Sequence, residues 1–311
     1  MTTLWQSFPK TILEFEEKFA TEEACRGYLI ECRWGGKPSC ARCGNQNLWL
    51  VHDGRHFECS DKSCRHQTSI TAGTLFHRTR KPLRLWFRAI WEICVHRHGI
   101  SAKDLQRVLG LSKYDKAWTW AHRIRRAFVA PEHTKLVGCA QIDETFVGGK
   151  GADKSIVWIA VEEGGRARLV HIPGTHEDVI KYAVETALDE ETSAKSDGHA
   201  ATNKKTLGDR PHDAKVQIPA ERKTGDHLQL CHWMASNLKR WLRGTHHGAV
   251  SAKHLKSYLD EHTFRYNRRK TTGVGRLVAR CLENMIVHQP LTMRQLIDET
   301  HECRLFEGVA Y

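Results

Sequence analysis

Two cysteine pairs, Cys40-x-x-Cys43 and Cys59-x-x-x-x-Cys64, constrain what this chain can fold into more than any other feature. Fifteen residues separate the pairs, and four thiolates so spaced can supply one tetrahedral Zn²⁺. Gly44 follows the first pair, as a zinc knuckle needs, and Leu48, Leu50, His52 and the His56-to-Cys59 run read as a hairpin between the pairs. A ribbon of this size does not fold without its metal. Cys25 and Cys32 are expected to be packed rather than ligating, and His66, close behind Cys64, is a spare ligand candidate. The amino-terminal stretch has no basic run followed by an apolar one, so the eleven cysteines favour reduced thiols and metal ligation in a cytoplasmic protein over a disulfide framework. No apolar run approaches the about 20 residues of a membrane helix, and no membrane partner is expected.

The expected organisation is N-terminal helices in 1–34, the zinc ribbon in 35–76, a helical DNA-binding region in 77–130, an α/β catalytic domain in 131–290 and a tail in 291–311. Lys and Arg total 48 against 36 Asp and Glu, a net charge of +12 that favours a polyanionic partner. In the third segment, Ser101 and Asp104 form a capping-box pattern before Leu105, Val108 and Leu109, and Gly110-Leu111 makes a turn. A second helix then ends in Arg123, Arg125 and Arg126. Two short helices around a glycine, the second basic, describe a helix-turn-helix whose arginines face DNA.

Beyond Pro131 the pattern changes to strands. Leu136 to Val147 reads as a core strand carrying Asp143, and two further runs, joined through Glu162-Glu163-Gly164-Gly165, make a hairpin. A helix from His176 to Leu188 leads to a further strand ending at Asp197, and a polar loop is expected over Ala200 to Gly225. His232 then opens a helix in which Lys239, seven residues on, lies on the same face. This order of elements matches an RNase H-like fold. Carboxylates that hold hard divalent cations beside a lysine that neutralises phosphate are what phosphodiester chemistry needs. Glu144, adjacent to Asp143, should point away from the site on a strand and is a weak catalytic candidate. Further along, Arg265, Arg268 and Arg269, set among Phe264 and Tyr266, are candidates for stacking on and neutralising nucleic acid.

The ribbon, the helix pair, then Asp-Glu-Thr-Phe-Val-Gly-Gly-Lys from Asp143, Ser-Asp-Gly-His from Ser196, and the long motif from Asn237 to Arg269 resemble the zinc-ribbon, ISXO-like group of DDE insertion-sequence transposases. The resemblance spans nearly the whole chain. It implies catalytic residues Asp143, Asp197 and, 35 residues further on, His232 at the position of the usual glutamate, with Lys239 seven beyond. It also implies Mg²⁺ or Mn²⁺ as the catalytic ion, hydrolysis at the element end to free a 3′-hydroxyl, and attack of that hydroxyl on target DNA. The expected partners are the terminal inverted repeats and target duplex, bound by a homodimer or larger assembly and so nucleoid-associated. Histidine brings one negative charge fewer and offers nitrogen to an ion that prefers oxygen, so a preference for Mn²⁺ is expected. Two alternatives stand beside the transposase: a DNA-binding regulator whose catalytic domain is silent because of His232, and an RNase H-like nuclease without strand transfer.

Overall fold

Thr11 and Thr21 each end an extended segment and accept a backbone N–H three residues on, from Glu14 and Ala24, which starts helices α1 (Ile12–Lys18) and α2 (Glu22–Trp34). The computed structural model describes residues 8–52, 54–129, 135–148, 154–222, 225–248 and 250–297. Between the cysteine pairs the chain forms the expected hairpin, β1 (Leu48–Leu50) and β2 (His56–Cys59), and past the second pair β3 (Gln67–Ser69) adds a third antiparallel strand. Helix α3 (Leu83–Val95) follows Pro82 and has no cap of its own. Glu22 of α2 supplies one, accepting the N–H groups of Leu83 (2.7 Å) and Arg84 (3.2 Å). The apolar face of α3 packs Phe87 and Trp91 against Phe15, Phe19 and Tyr28, and stacks Trp86 on Trp120 at 3.9 Å. Trp120 lies on α5 (Tyr114–Arg126), which is joined through Gly110, at φ +61°, to the Ser101-capped α4 (Ala102–Val108).

The second unit is a five-stranded mixed sheet: β4 (Cys139–Gly148), β5 (Lys154–Glu162), β6 (Ala167–Ile172), β7 (Ser193–Ser196) and β8 (His212–Ala214). The strand order is β6-β5-β4-β7-β8, antiparallel from β6 to β4 and parallel from β4 to β8. Alternation on β5 divides two cores. Trp158 and Ala160 pack with Val179, Ile180 and Val184 of α6 (Glu177–Ala187), whereas Val157, Ile159 and Val161 pack with α9 (Gln229–His246) and α10 (Ala252–Asn267). The expected polar loop holds α7 (Lys204–Leu207), β8 and α8 (Pro219–Arg222). A strand as short and exposed as His-Asp-Ala carries no periodic signal, and its parallel pairing with β7 is a long-range event.

Helices α11 (Val274–Val287) and α12 (Met293–Ile297) return to the first unit, although 131–290 reads in sequence as one domain. Buried Asn284 donates to the Ala127 carbonyl (2.7 Å), and Gly275 lies so close to the Pro9 carbonyl that a Cβ would sit 1.9 Å from its oxygen. Residues 298–311 of the expected tail lie outside the described residues.

His262 on α10 is buried beside Trp241, and burial pushes its imidazole down from 6.5 to about 4. A depressed histidine disfavours protonation in the folded state, so its contribution is present above about pH 6.5 and is lost as pH falls towards 4. His262→Phe should flatten the acid sensitivity of unfolding, removing on the order of 2 kcal/mol of the stability difference between pH 7.5 and pH 5 in denaturant titrations.

Candidate functional site

The parallel register of β4 with β7 pairs Cys139 with Ser193 and Gln141 with Lys195. Extending it by two residues brings Asp143 level with Asp197, just past the end of β7. There the chain turns at Gly198, φ +79°, and Asp197 accepts the His199 N–H at 2.9 Å. Beyond that point β4 has no neighbour on its β7 side, and a cleft of about 350 Å³ opens between the strand ends and α9. Asp143, Asp197, His232 and Lys239 all line it.

Helix α9 is held over the cleft by a side chain on β4. Buried Gln141 accepts the N–H of Leu230 at 2.8 Å, satisfying one of the donors that an uncapped first turn exposes. Gln141 and Asp143 share the α9 face of β4, so the residue that docks the helix is two positions from the carboxylate the helix faces. His232 follows within the first turn. Its Nε2 lies 3.5 Å from Asp143 Oδ2 and its Nδ1 lies 2.6 Å from Asp226 Oδ2. Lys239 also borders an adjoining cavity of about 450 Å³ together with Lys154 and Arg243, which extends positive charge along the cleft.

Two residues of the cleft are weak or absent in the sequence argument. Glu144 is in line with Ala140 and Ile142 on the other side of β4, as alternation requires, yet it borders the opening because β7 has ended. Burial, then the charges of Asp143 and Asp197, push its carboxyl up to about 7. Asp226 gives no sequence signal apart from a position shortly before the helix. The donor chemistry fits a divalent cation: the carboxyl groups of Asp143, Glu144 and Asp197 and the imidazole of His232 line one opening. The donors of Asp143, Asp197 and His232 do not all lie within the 4.8 Å that marks a closed cluster.

The basic residues expected to meet DNA are largely engaged within the protein. Arg125 is 2% exposed, which removes it from any DNA-facing surface, and Arg123 is desolvated enough that its guanidinium falls below its ordinary value. Arg126 is half-buried. Arg265 pairs with the fully buried Glu261 at 2.7 Å, Arg268 stacks over Phe264 at 4.1 Å, and Arg269 stacks over Tyr266 at 4.0 Å while donating to the Gly165 carbonyl at 2.6 Å. Arg269 thereby ties the end of α10 to the β5–β6 hairpin, as does Asn267 with two hydrogen bonds to the Ala167 backbone.

Among the described residues, Cys40, Cys43, Cys59 and Cys64 form the set whose donor atoms all lie within 4.8 Å of one another. The Cys40–Cys64 and Cys43–Cys59 sulfur separations, 3.7 and 3.6 Å, approach the edge of a tetrahedron with Zn–S bonds of about 2.3 Å, roughly 3.8 Å. The Arg42 N–H points at Cys40 Sγ (3.4 Å) and the Asn45 amide at Cys59 Sγ (3.6 Å), donors suited to thiolates. Cys25 and Cys32 lie on α2, where burial pushes both thiols up to about 12.

An ISXO2-like transposase domain matches residues 135–267, β4 through α10, and a transposase zinc-ribbon domain matches residues 20–67. The chain belongs to the zinc-ribbon, ISXO2-like insertion-sequence transposases. A protein described as an uncharacterized protein in transposable element ISH50 of Halobacterium salinarum is 25% identical over 270 residues, 78% of this chain and 89% of that one. A chain in the cryoEM structure of a simian T-cell lymphotropic virus intasome in complex with PP2A regulatory subunit B56 gamma aligns at 13% identity over 64% of this chain and 72% of that chain, with a TM-score of 0.27, too loose a superposition to bear on the fold. The transposase zinc-ribbon match ends at Gln67 and encloses all four cysteines. Purified chain should carry about one zinc, and Cys59→Ser should lower that to a small fraction and open the 36–70 region to protease, read by metal analysis and limited proteolysis.

Proposed function

We propose that this transposase family member cleaves the ends of an insertion sequence and joins them to target DNA, with Asp143, Asp197 and His232 as the divalent-metal set. The observation that carries the proposal is the convergence of those three residues and Lys239 on one open cleft from three separate elements. The sheet order, three antiparallel strands followed by two parallel ones, with one carboxylate midway along β4 and the other just past the end of the adjacent β7, supports an RNase H-like fold. Bound Mg²⁺ or Mn²⁺ would supply Lewis acidity to the scissile phosphate and activate the attacking oxygen. Asp143 and Asp197 would hold that charge at the rim of the sheet, where a DNA strand can approach. Lys239, two turns along α9 from His232, would sit against the phosphate oxygens, and Lys154 and Arg243 would continue the path of the backbone.

Helices α4 and α5 are assigned the helix-turn-helix role with a changed contact surface. Of the C-terminal arginines of α5, Arg125 is buried and Arg123 and Arg126 half-buried, but Ser112, Lys113, Tyr114 and Lys116 at its start are exposed, the end from which a recognition helix reaches a major groove. Joining two ends in one complex calls for at least two copies of the chain. Among the described residues no helix is long and apolar enough to cross a membrane.

Labelled duplexes carrying the element's ends, incubated with target plasmid in Mg²⁺ or Mn²⁺, should give joined products that fall about 100-fold or more with Asp143→Asn. Cleavage without joining would favour a nuclease, and salt-sensitive binding without either reaction would favour a silent DNA-binding regulator. Lys113→Ala with Lys116→Ala should weaken end binding and lower the salt slope by about 2, whereas Arg268→Ala should leave that slope unchanged.

A further inference from the structure

A glutamate at the third position of a carboxylate set needs no tautomer, because either oxygen of its carboxylate can face the cation. An imidazole presents one lone pair, and only when its other nitrogen carries the proton. His232 therefore has to be told which nitrogen to protonate. Its Nδ1 lies 2.6 Å from Asp226 Oδ2, the length of a charge-assisted hydrogen bond, whereas its Nε2 lies 3.5 Å from Asp143 Oδ2, at the outer limit for one. Asp226 is itself fixed, because its other oxygen, Oδ1, accepts the Leu228 N–H at 3.1 Å in the turn that precedes α9. Its side chain is 18% exposed and that of His232 30%, so the pair is partly shielded from water.

We propose that Asp226 is the positioning residue of the third site ligand: it takes the Nδ1–H of His232, points the Nε2 lone pair at the cleft beside Asp143, and restores the negative charge lost when glutamate is replaced by histidine. Asp226 and His232 together thus stand in for one glutamate, a carboxylate relayed through an imidazole, as in the carboxylate–histidine pairs behind metal ions. The inference rests on the proposed role of Asp143, Asp197 and His232 as metal ligands. It commits the cleft to a cation that accepts nitrogen readily, Mn²⁺ over Mg²⁺.

Asp226→Asn separates positioning from shape. If the amide oxygen stays on the Leu228 N–H, the amide nitrogen faces Nδ1 as a donor, and the imidazole proton moves to Nε2, where it blocks the cation. Mn²⁺ binding to the zinc-loaded chain, read from the free-ion electron paramagnetic resonance signal, should weaken about tenfold or more in Asp226→Asn. In a His232→Glu background the same substitution should leave affinity within about twofold or tighten it, because Asp226 there is only a second carboxylate beside the first. Unchanged Mn²⁺ binding in Asp226→Asn, or an equal loss in both backgrounds, would overturn the proposal; the second result would mean that Asp226 serves only the turn before α9. If His232→Glu does not fold, ¹⁵N shifts of the His232 ring in the metal-free chain decide. Nδ1–H in the parent and Nε2–H in Asp226→Asn support positioning, and Nε2–H in the parent, or the same tautomer in both, refutes it. Asp143→Asn is the control for the underlying reading. Undiminished Mn²⁺ binding there would overturn the metal site and the proposal together, whereas a loss in Asp143→Asn without one in Asp226→Asn would overturn the role of Asp226 alone.

Discussion

The parallel pairing of β4 with β7 is the constraint on which the second unit depends. A parallel pair needs a crossover, and α6 supplies it, burying Val179, Ile180, Ala183 and Val184 against one face of the sheet. The opposite face is left for α9 and α10, so the helix bearing His232 and Lys239 docks where Asp143 points. Because β7 is four residues long and stops at Ser196, the two central strands separate at the level of the two aspartates, and the sheet ends in an open cleft rather than a closed core. Lengthening β7 by one pair would cover the position that the chemistry needs.

Buried polar contacts fix the remaining freedom. Gln141 holds the first turn of α9, Arg265 satisfies the buried Glu261 within α10, the two Asn267 bonds anchor that helix to β6, and Glu162 accepts both the Val137 N–H and the Arg166 guanidinium where β5 turns into β6. Each satisfies a group whose burial alone would cost about 1–3 kcal/mol. Of these, the Asn267 bonds fall in the Asn237–Arg269 stretch and tie it to the sheet, so part of that motif records how α10 is fastened.

Spacing made the cysteine quartet and the Asp143, Asp197, His232 and Lys239 set visible in the sequence, because ligand intervals and a seven-residue helical step survive without tertiary information. The role given to Arg125 did not survive. A basic run at a helix end is the same string whether it reaches into solvent, as expected of Arg123, Arg125 and Arg126, or folds back into the protein, as Arg125 does. Arg268 and Arg269 were expected to meet nucleic acid through Phe264 and Tyr266, and they do stack, but on those two rings of their own chain. The return of α11 to the first unit, the third strand of the ribbon and the β7–β8 pairing all depend on partners distant in sequence, and amphipathic period reports which face is buried without naming what buries it. Glu144 was expected to point away from the site and instead borders it: it does lie on the face opposite Asp143, but the neighbouring strand ends early enough for that face also to open on the cleft.

The cysteine quartet and the proposed catalytic set differ in the way their ligands demand. Four thiolates from two knuckles converge within 4.8 Å, with backbone and amide donors behind the sulfurs, and this closed geometry leaves no position for a substrate. In the proposed catalytic set the donors are oxygens and one nitrogen, spread around a cleft of about 350 Å³ and not gathered to a point. On the proposed function, that looseness suits an ion whose remaining positions would belong to water and to the scissile phosphate, so that arriving DNA would complete the site. It also explains why a histidine can be accommodated there. In a closed site a change of ligand type would alter every bond, whereas at the rim of a sheet the ring needs only an orienting partner and a carboxylate's worth of charge, and the turn before α9 has room for both in Asp226.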